Sequence, residues 1–119
     1  MTRVGLATAE RMLQSGAEVC LWDMDPAALD AATKRLAGKG SVHSAVVDVA
    51  SVASVTAAAQ QAIGQMGRVD ILVNNAGIQH VAPVDEFPAA KWDAVMAINL
   101  SAAFHAIGAA LPLMKARKW

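Results

Sequence analysis

Residues 69–77 read Val-Asp-Ile-Leu-Val-Asn-Asn-Ala-Gly, and this stretch decides the fold. Val69 to Asn74 is a short, mostly aliphatic run that ends on an asparagine, with a second asparagine and then small residues after it. The pattern predicts a buried strand of a parallel sheet, closed by a polar turn at its carboxyl end. Upstream, Val52, Val55, Ala59, Ile63 and Met66 recur at three- and four-residue steps, which predicts a helix. Before it, Ser41 to Asp48 carries Val42, Val46 and Val47 and reads as a second strand ending on an aspartate. Asp25-Pro26 opens an earlier helix to about Ala37, with aspartate as N-cap, proline at the first helical position, and Gly38 and Gly40 to stop it. Ala17 to Trp22 is another short strand, closed by Asp23. Val4 to about Gln14 is the first helix, with Leu6, Ala9 and Leu13 on one face and Gly16 at its end. Downstream of Gly77, a polar, proline-bearing loop leads to Pro88, where the last and longest helix begins.

The order α-β-α-β-α-β-α predicts a parallel sheet with right-handed crossovers. A chain of 119 residues is one domain or part of one, and it shows no repeat, low-complexity tract or linker. With 55% hydrophobic and 17% charged residues, disorder is excluded. Ten basic and ten acidic residues balance, so no electrostatic footprint for nucleic acid or an anionic membrane exists. The single cysteine, Cys20, rules out an internal disulfide and fits a reducing compartment. The opening Met-Thr-Arg-Val-Gly has no apolar signal core, and a cytoplasmic location is expected. There is no tyrosine, which excludes a tyrosine acid or base within these residues.

Three strand ends carry polar groups that could serve a ligand: Asp23, Asp48 and Asn74-Asn75. In open α/β sheets, ligands gather at the carboxyl ends of strands. Aspartate and asparagine also terminate strands as ordinary turn formers, which explains any one of these sites better than all three together. Gly5 at a helix start, with Asp23 18 positions later, has the spacing of a dinucleotide site. Such a site needs a glycine where backbone approaches pyrophosphate, and an acid about 20 residues on for the ribose hydroxyls.

A strand followed by Asn74-Asn75-Ala76-Gly77, then a long helix containing Ile98-Asn99-Leu100, resembles the short-chain dehydrogenase/reductase family over essentially the whole chain. The resemblance implies an incomplete NAD(P)-binding Rossmann-type domain over 1–119: a partial doubly wound parallel sheet without its first strand and its C-terminal strands. It implies hydride transfer between NAD(H) and a secondary alcohol or ketone. The position of Asp23 favours NAD over NADP, because an acid there bonds the 2′-hydroxyl and repels a 2′-phosphate. By the same resemblance, Gly5 lies in the phosphate turn and Asp48 and Val49 contact adenine. Asn75, Ala76 and Gly77 pass the cofactor ribose, and Asn99 supports a catalytic lysine through a water. Within the family, the loop from Asn75 to Pro83 and the segments Lys91–Val95 and Ala103–His105 are similar to bacterial 3-hydroxybutyrate dehydrogenases. That similarity gives Gln79 a role in holding a substrate carboxylate.

Two departures from the family pattern stand out. Of the glycine-rich turn only Gly5 is present, with Arg3 where the middle glycine would be. In strand order 3-2-1-4, a strand is expected between those ending at Asp23 and Asn74, and none of these residues supplies it, leaving a gap or two open edges. The family's catalytic serine and Tyr-x-x-x-Lys are also not found here, so the isolated chain is expected to be inactive. A second reading is a non-catalytic binding or oligomerisation module that keeps the dinucleotide fold.

The last helix presents Trp92, Met96, Asn99, Ala103, Ala106 and Ala110 on one face, and Leu100, Phe104, Ile107, Leu111 and Met114 on another. Apolar on both faces, it should be buried on both, which predicts a homo-oligomer through residues 88–115, where the family's subunit-pairing helix lies. Ala94 to Met114 is free of charged residues and long enough to span a membrane. It holds Asn99, Ser101, His105 and Pro112 without flanking basic clusters, so burial in an oligomer is expected instead. An amide such as Asn99 among alanines should bond backbone or water. His43, His80 and His105 have no metal-ligand spacing, and no metal is expected. Cys20 reads as packing within a strand rather than as a nucleophile.

Overall fold

The computed structural model describes residues 1–119. Its elements are α1 (Arg3–Gln14), β1 (Val19–Asp23), α2 (Pro26–Leu36), β2 (Val42–Val46), α3 (Val52–Met66), α4 (Ala89–Met96) and α5 (Ala102–Arg117). A five-residue π-helical segment, Ala97–Ser101, joins α4 to α5 in one continuous rod.

Helix starts follow their capping chemistry. Thr2 accepts from Gly5 N–H to open α1, Asp25 accepts from Ala27 N–H ahead of Pro26 in α2, and Ser51 accepts from Ser54 N–H in α3. β1 and β2 pair in parallel, from Val19 opposite Val42 to Asp23 opposite Val46. Both strands are shorter than the apolar runs suggest, because pairing rather than hydrophobicity sets where a ladder stops. Asp48 therefore lies beyond β2, in the loop that leads to α3.

The expected third strand, Val69–Asn74, is the principal correction. These residues form no strand, and the sheet has two members only. A strand is defined by a neighbour's backbone, and none of the described residues lies beside this segment to bond it.

The core has two parts. Leu13, Leu21, Leu29 and Leu36 pack with Ala9 and Ala32 where α1 and α2 meet the sheet. Val47, Val55, Ala58 and Ala106 form a second cluster between α3, α5 and the sheet, with Trp22, Val49 and Leu72 against it. Of the face expected through Trp92, Met96, Asn99, Ala103, Ala106 and Ala110, the long rod buries Ala106 and Ala110, with Ala102 in place of Ala103, while Trp92 and Asn99 are exposed. The π-helical segment Ala97–Ser101 lies between the exposed and the buried parts of that face, where a wider turn changes the phase of the helix. The opposite face is open: Phe104 is 74% exposed, Leu100 59% and Ile107 44%. Within this chain the rod is covered on one face, and the open face is the one assigned to a partner. Over its 29 residues the rod is long and apolar enough to cross a membrane by length and composition alone.

Candidate functional site

The carboxyl ends of β1 and of residues 69–74 meet at the start of α1. Thr2 is the link that sequence reasoning misses. Its Oγ1 accepts from Gly5 N–H at 3.1 Å and from Asn75 Nδ2 at 2.8 Å, so one hydroxyl both caps α1 and holds the Asn75 amide. The signal is present, because a threonine just before a periodic apolar run marks an N-cap. Gly5 has a steric reason here: a Cβ on it would stand 2.7 Å from Asn75 Nδ2. With the Asn75 amide where it lies, a larger residue at position 5 would push that amide aside. Gly5 and Asn75, both candidates from the sequence, are therefore brought together.

Gly77 and Asn99 form a second junction. Asn99 Oδ1 accepts from Ile78 N–H at 2.9 Å and Asn99 Nδ2 donates to Ile78 O at 2.9 Å. The expectation that Asn99 bonds backbone is met, although the residue is exposed rather than buried. The π-helical segment contains Asn99, and distortions of this kind re-aim side chains within a helix. A Cβ on Gly77 would lie 3.5 Å from Asn99 Oδ1, in ordinary contact. The two bonds pin the loop beside Gly77. No sequence rule points to Ile78, because its side chain takes no part.

Asp23 ends β1 on the same side. Its Oδ1 accepts from Asp25 N–H at 2.9 Å and its Oδ2 pairs with the Met1 ammonium at 2.8 Å. Partial burial pushes this carboxyl upward. The amino terminus and the Asp25 and Met24 N–H groups outweigh that and hold it below the ordinary aspartate range. It is therefore an anion at neutral pH with both oxygens engaged. Asp48 accepts from Ala50 N–H at 3.0 Å, while its own N–H donates to Ser54 Oγ at 3.1 Å, so it shapes the turn into α3. Val49 is half-buried against the Val47–Val55 cluster. Ala76 and Gln79 are exposed in the loop. Farther along, His80 meets Phe87 edge-on at 5.2 Å, and Phe87 meets Trp92 at 6.3 Å, tying the loop to α4. Burial pushes the Cys20 thiol up against a weaker opposing bond with Trp22, which leaves it protonated and supports its reading as packing.

A helix N-terminus, an anionic strand end and a glycine-bearing loop held on the same side are the parts of a dinucleotide site. The family profile described as short chain dehydrogenase matches residues 2–119, and the chain belongs to that family. It is 40% identical over 119 residues to the D-beta-hydroxybutyrate dehydrogenase of Cupriavidus necator, across 98% of this chain and 45% of that one. Among solved structures it is similar to an NAD+-bound xylitol dehydrogenase, with a TM-score of 0.94 and 33% identity over 99% of this chain and 46% of that one. It is also similar to a metagenomic short-chain oxidoreductase in complex with NADP, with a TM-score of 0.90 and 33% identity over 97% of this chain and 53% of that one. The chain spans about half the length of the curated relatives it matches. The architecture is accordingly a partial Rossmann-like α/β fold.

Proposed function

We propose that residues 1–119 form the dinucleotide-contacting part of an oxidoreductase that moves a hydride between NAD(H) and a secondary alcohol or ketone, of the 3-hydroxybutyrate kind. The observation that carries this reading is the junction of Thr2, Gly5 and Asn75, which sets the asparagine loop on the α1 N-terminus. In this reading Gly5 and the first turn of α1 face the pyrophosphate, Asp23 the adenosine ribose, Asp48 and Val49 the adenine, and Asn75–Gly77 the second ribose. The nicotinamide supplies the hydride chemistry when bound. The anionic Asp23 favours NAD over NADP, since it would repel a 2′-phosphate.

Asn99 has both side-chain groups committed to Ile78, so it acts as a positioning residue for the loop that presents Gln79 toward a substrate carboxylate. A phenolic proton donor would come from outside these 119 residues, which hold no tyrosine. Binding by these residues alone is weak, for two reasons. Arg3 stands at the first position of α1 where close backbone approach is wanted, and Asp23 already pairs with the Met1 ammonium. Self-association through the open face of α5, and a cytoplasmic setting, complete the proposal; exposed Leu100, Phe104 and Ile107 support the first and the lone free thiol the second.

Backbone amide shifts recorded with tens of millimolar NAD test the site. Movement confined to Gly5, Asp23, Val49 and Asn75–Gly77 is the expected result. Movement elsewhere, or none, overturns the assignment.

A further inference from the structure

Gln79 sits between two residues that are each held against the same helical rod. On one side, Ile78 N–H donates to Asn99 Oδ1 and Ile78 O accepts from Asn99 Nδ2, both at 2.9 Å. On the other, the His80 ring meets Phe87 edge-on with centroids 5.2 Å apart, and Phe87 meets Trp92 in the same manner at 6.3 Å. Trp92 and Asn99 stand two turns apart on the rod, about 10 Å along its axis. Gln79 is exposed between these anchors, and its side chain takes part in neither.

The aromatic anchor is built by the start of α4. Pro83 O accepts from Glu86 N–H at 3.0 Å, a turn that folds the loop back and returns Phe87 to His80. Pro88, the N-cap, offers no side-chain bond to the helix. Phe87 precedes that cap and Trp92 holds the fourth helical position, the pairing of a hydrophobic staple, which fixes the angle at which a chain enters a helix. A staple needs two side chains only. The third ring, His80, adds nothing to the helix start, and its contact reaches back to the neighbour of Gln79. Edge-to-face rings hold a defined angle, here 85° and 84°, so the stack transmits orientation as well as contact.

We propose that Phe87 and Trp92 are positioning residues for Gln79. They hold His80 as Asn99 holds Ile78, so the Gln79 backbone is fixed from both neighbours and its amide is presented to a substrate carboxylate. The carboxylate rests on the function proposed above; the clamp rests on the contacts themselves. A loop ordered before its ligand arrives avoids an ordering cost at binding, which a side chain on a free loop would meet in full.

Backbone amide relaxation of the 119-residue chain tests the clamp, with Phe87→Leu and Phe87→Tyr beside the unsubstituted protein. Leucine keeps an apolar staple on Trp92 but gives His80 no ring, whereas tyrosine keeps both. The order parameter at Gln79 is expected near about 0.85 in the unsubstituted chain and in Phe87→Tyr, and below roughly 0.6 in Phe87→Leu. Residues 89–96 should stay rigid in all three. A mobile Gln79 in the unsubstituted chain overturns the proposal. So does an equally rigid one in Phe87→Leu, or a loss of order there that comes only with fraying of α4. A second arm follows the Gln79 side-chain amide during titration with 3-hydroxybutyrate and with its methyl ester. The acid should move it, the ester should not, and Phe87→Leu should weaken the response at least about threefold. A rigid Gln79 that ignores the acid overturns the substrate reading while the clamp stands. An equal response in Phe87→Leu overturns the positioning role.

Discussion

Val19–Asp23 and Val69–Asn74 are nearly the same message: a short aliphatic run that ends on a polar residue. One is a strand and the other is not. The first lies against β2 and above the Leu13–Leu36 cluster, where Leu36 is 0% exposed. The second runs beside no bonded neighbour, and its ends are held by side chains, Asn75 on Thr2 and Arg117 on Val69. The difference teaches that an apolar pattern specifies which face is buried, while a partner's backbone specifies the strand. It also divides the molecule: the buried leucines and most of the ion pairs lie in residues 1–50, and α5 leans on α3 through a narrow line of alanines.

Unequal packing should show most strongly in paired truncations. Leu36→Ala removes a fully buried side chain and should lower the unfolding free energy by about 2–5 kcal/mol. Phe104→Asp, on the open face of α5, should change it by no more than about 0.5 kcal/mol while converting an oligomer to monomer in sedimentation. Equal losses in urea unfolding would erase the division between the halves. A monomer before as well as after the Phe104 change would remove the self-association proposal.

The Asn99 clamp should matter less than the core but more than any surface pair. Asn99→Leu removes both bonds to Ile78 and should cost about 1–2 kcal/mol, with faster amide exchange at Ile78. Asn99→Asp keeps the acceptor for Ile78 N–H and should restore part of that protection. Unchanged exchange in both variants would mean that the loop is held by the His80–Phe87–Trp92 contacts instead.

Acid should weaken the first half in particular. Bonding and charge from Lys39 lower the Glu10 carboxyl, and the bonds from His43 and then Ser41 lower that of Glu18. Asp23 is lowered by the amino terminus and backbone N–H groups, against the opposing push of burial. Folded values below the unfolded 4.5 of the glutamates and 3.8 of the aspartate mean that these contributions are complete above that range. They are lost as pH falls through the lowered folded values. Urea midpoints taken from pH 7 down to pH 3 should therefore fall at the acid end, and Glu18→Gln should make the fall shallower. The effect is small for Glu10 and Glu18, whose pairs lie near the surface.

Much of the helical framework, and most of the candidate site, is legible in the amino-acid sequence. The helices begin and end near their caps and glycines, because capping chemistry is local and periodicity counts faces. Gly5, Asn75, Gly77 and Asn99 are marked by motif, and the fold brings them together in two pairs. What the sequence hides depends on distant partners. Thr2 and Asn75 are 73 residues apart, and the Ile78 end of the Asn99 clamp is backbone, which no side-chain pattern reveals. Past the π-helical segment the buried face runs through Ala102 in place of Ala103, and a turn that depends on packing leaves no periodic signature. The apolar run at 69–74 overstates a strand for the same reason: its side chains announce burial, and its ladder needs a neighbour.

In the proposed site, the loop and the anionic strand end are in place, while Arg3 impairs the phosphate turn and the Asp23 carboxylate that would meet the ribose is already paired. Calorimetric titration of the 119-residue chain with NAD tests this most directly. The expected result is a dissociation constant of about 1 mM or weaker, equivalent to no more than roughly 4 kcal/mol of binding. Micromolar affinity for NAD would contradict it, because it would mean that the phosphate turn works as it stands.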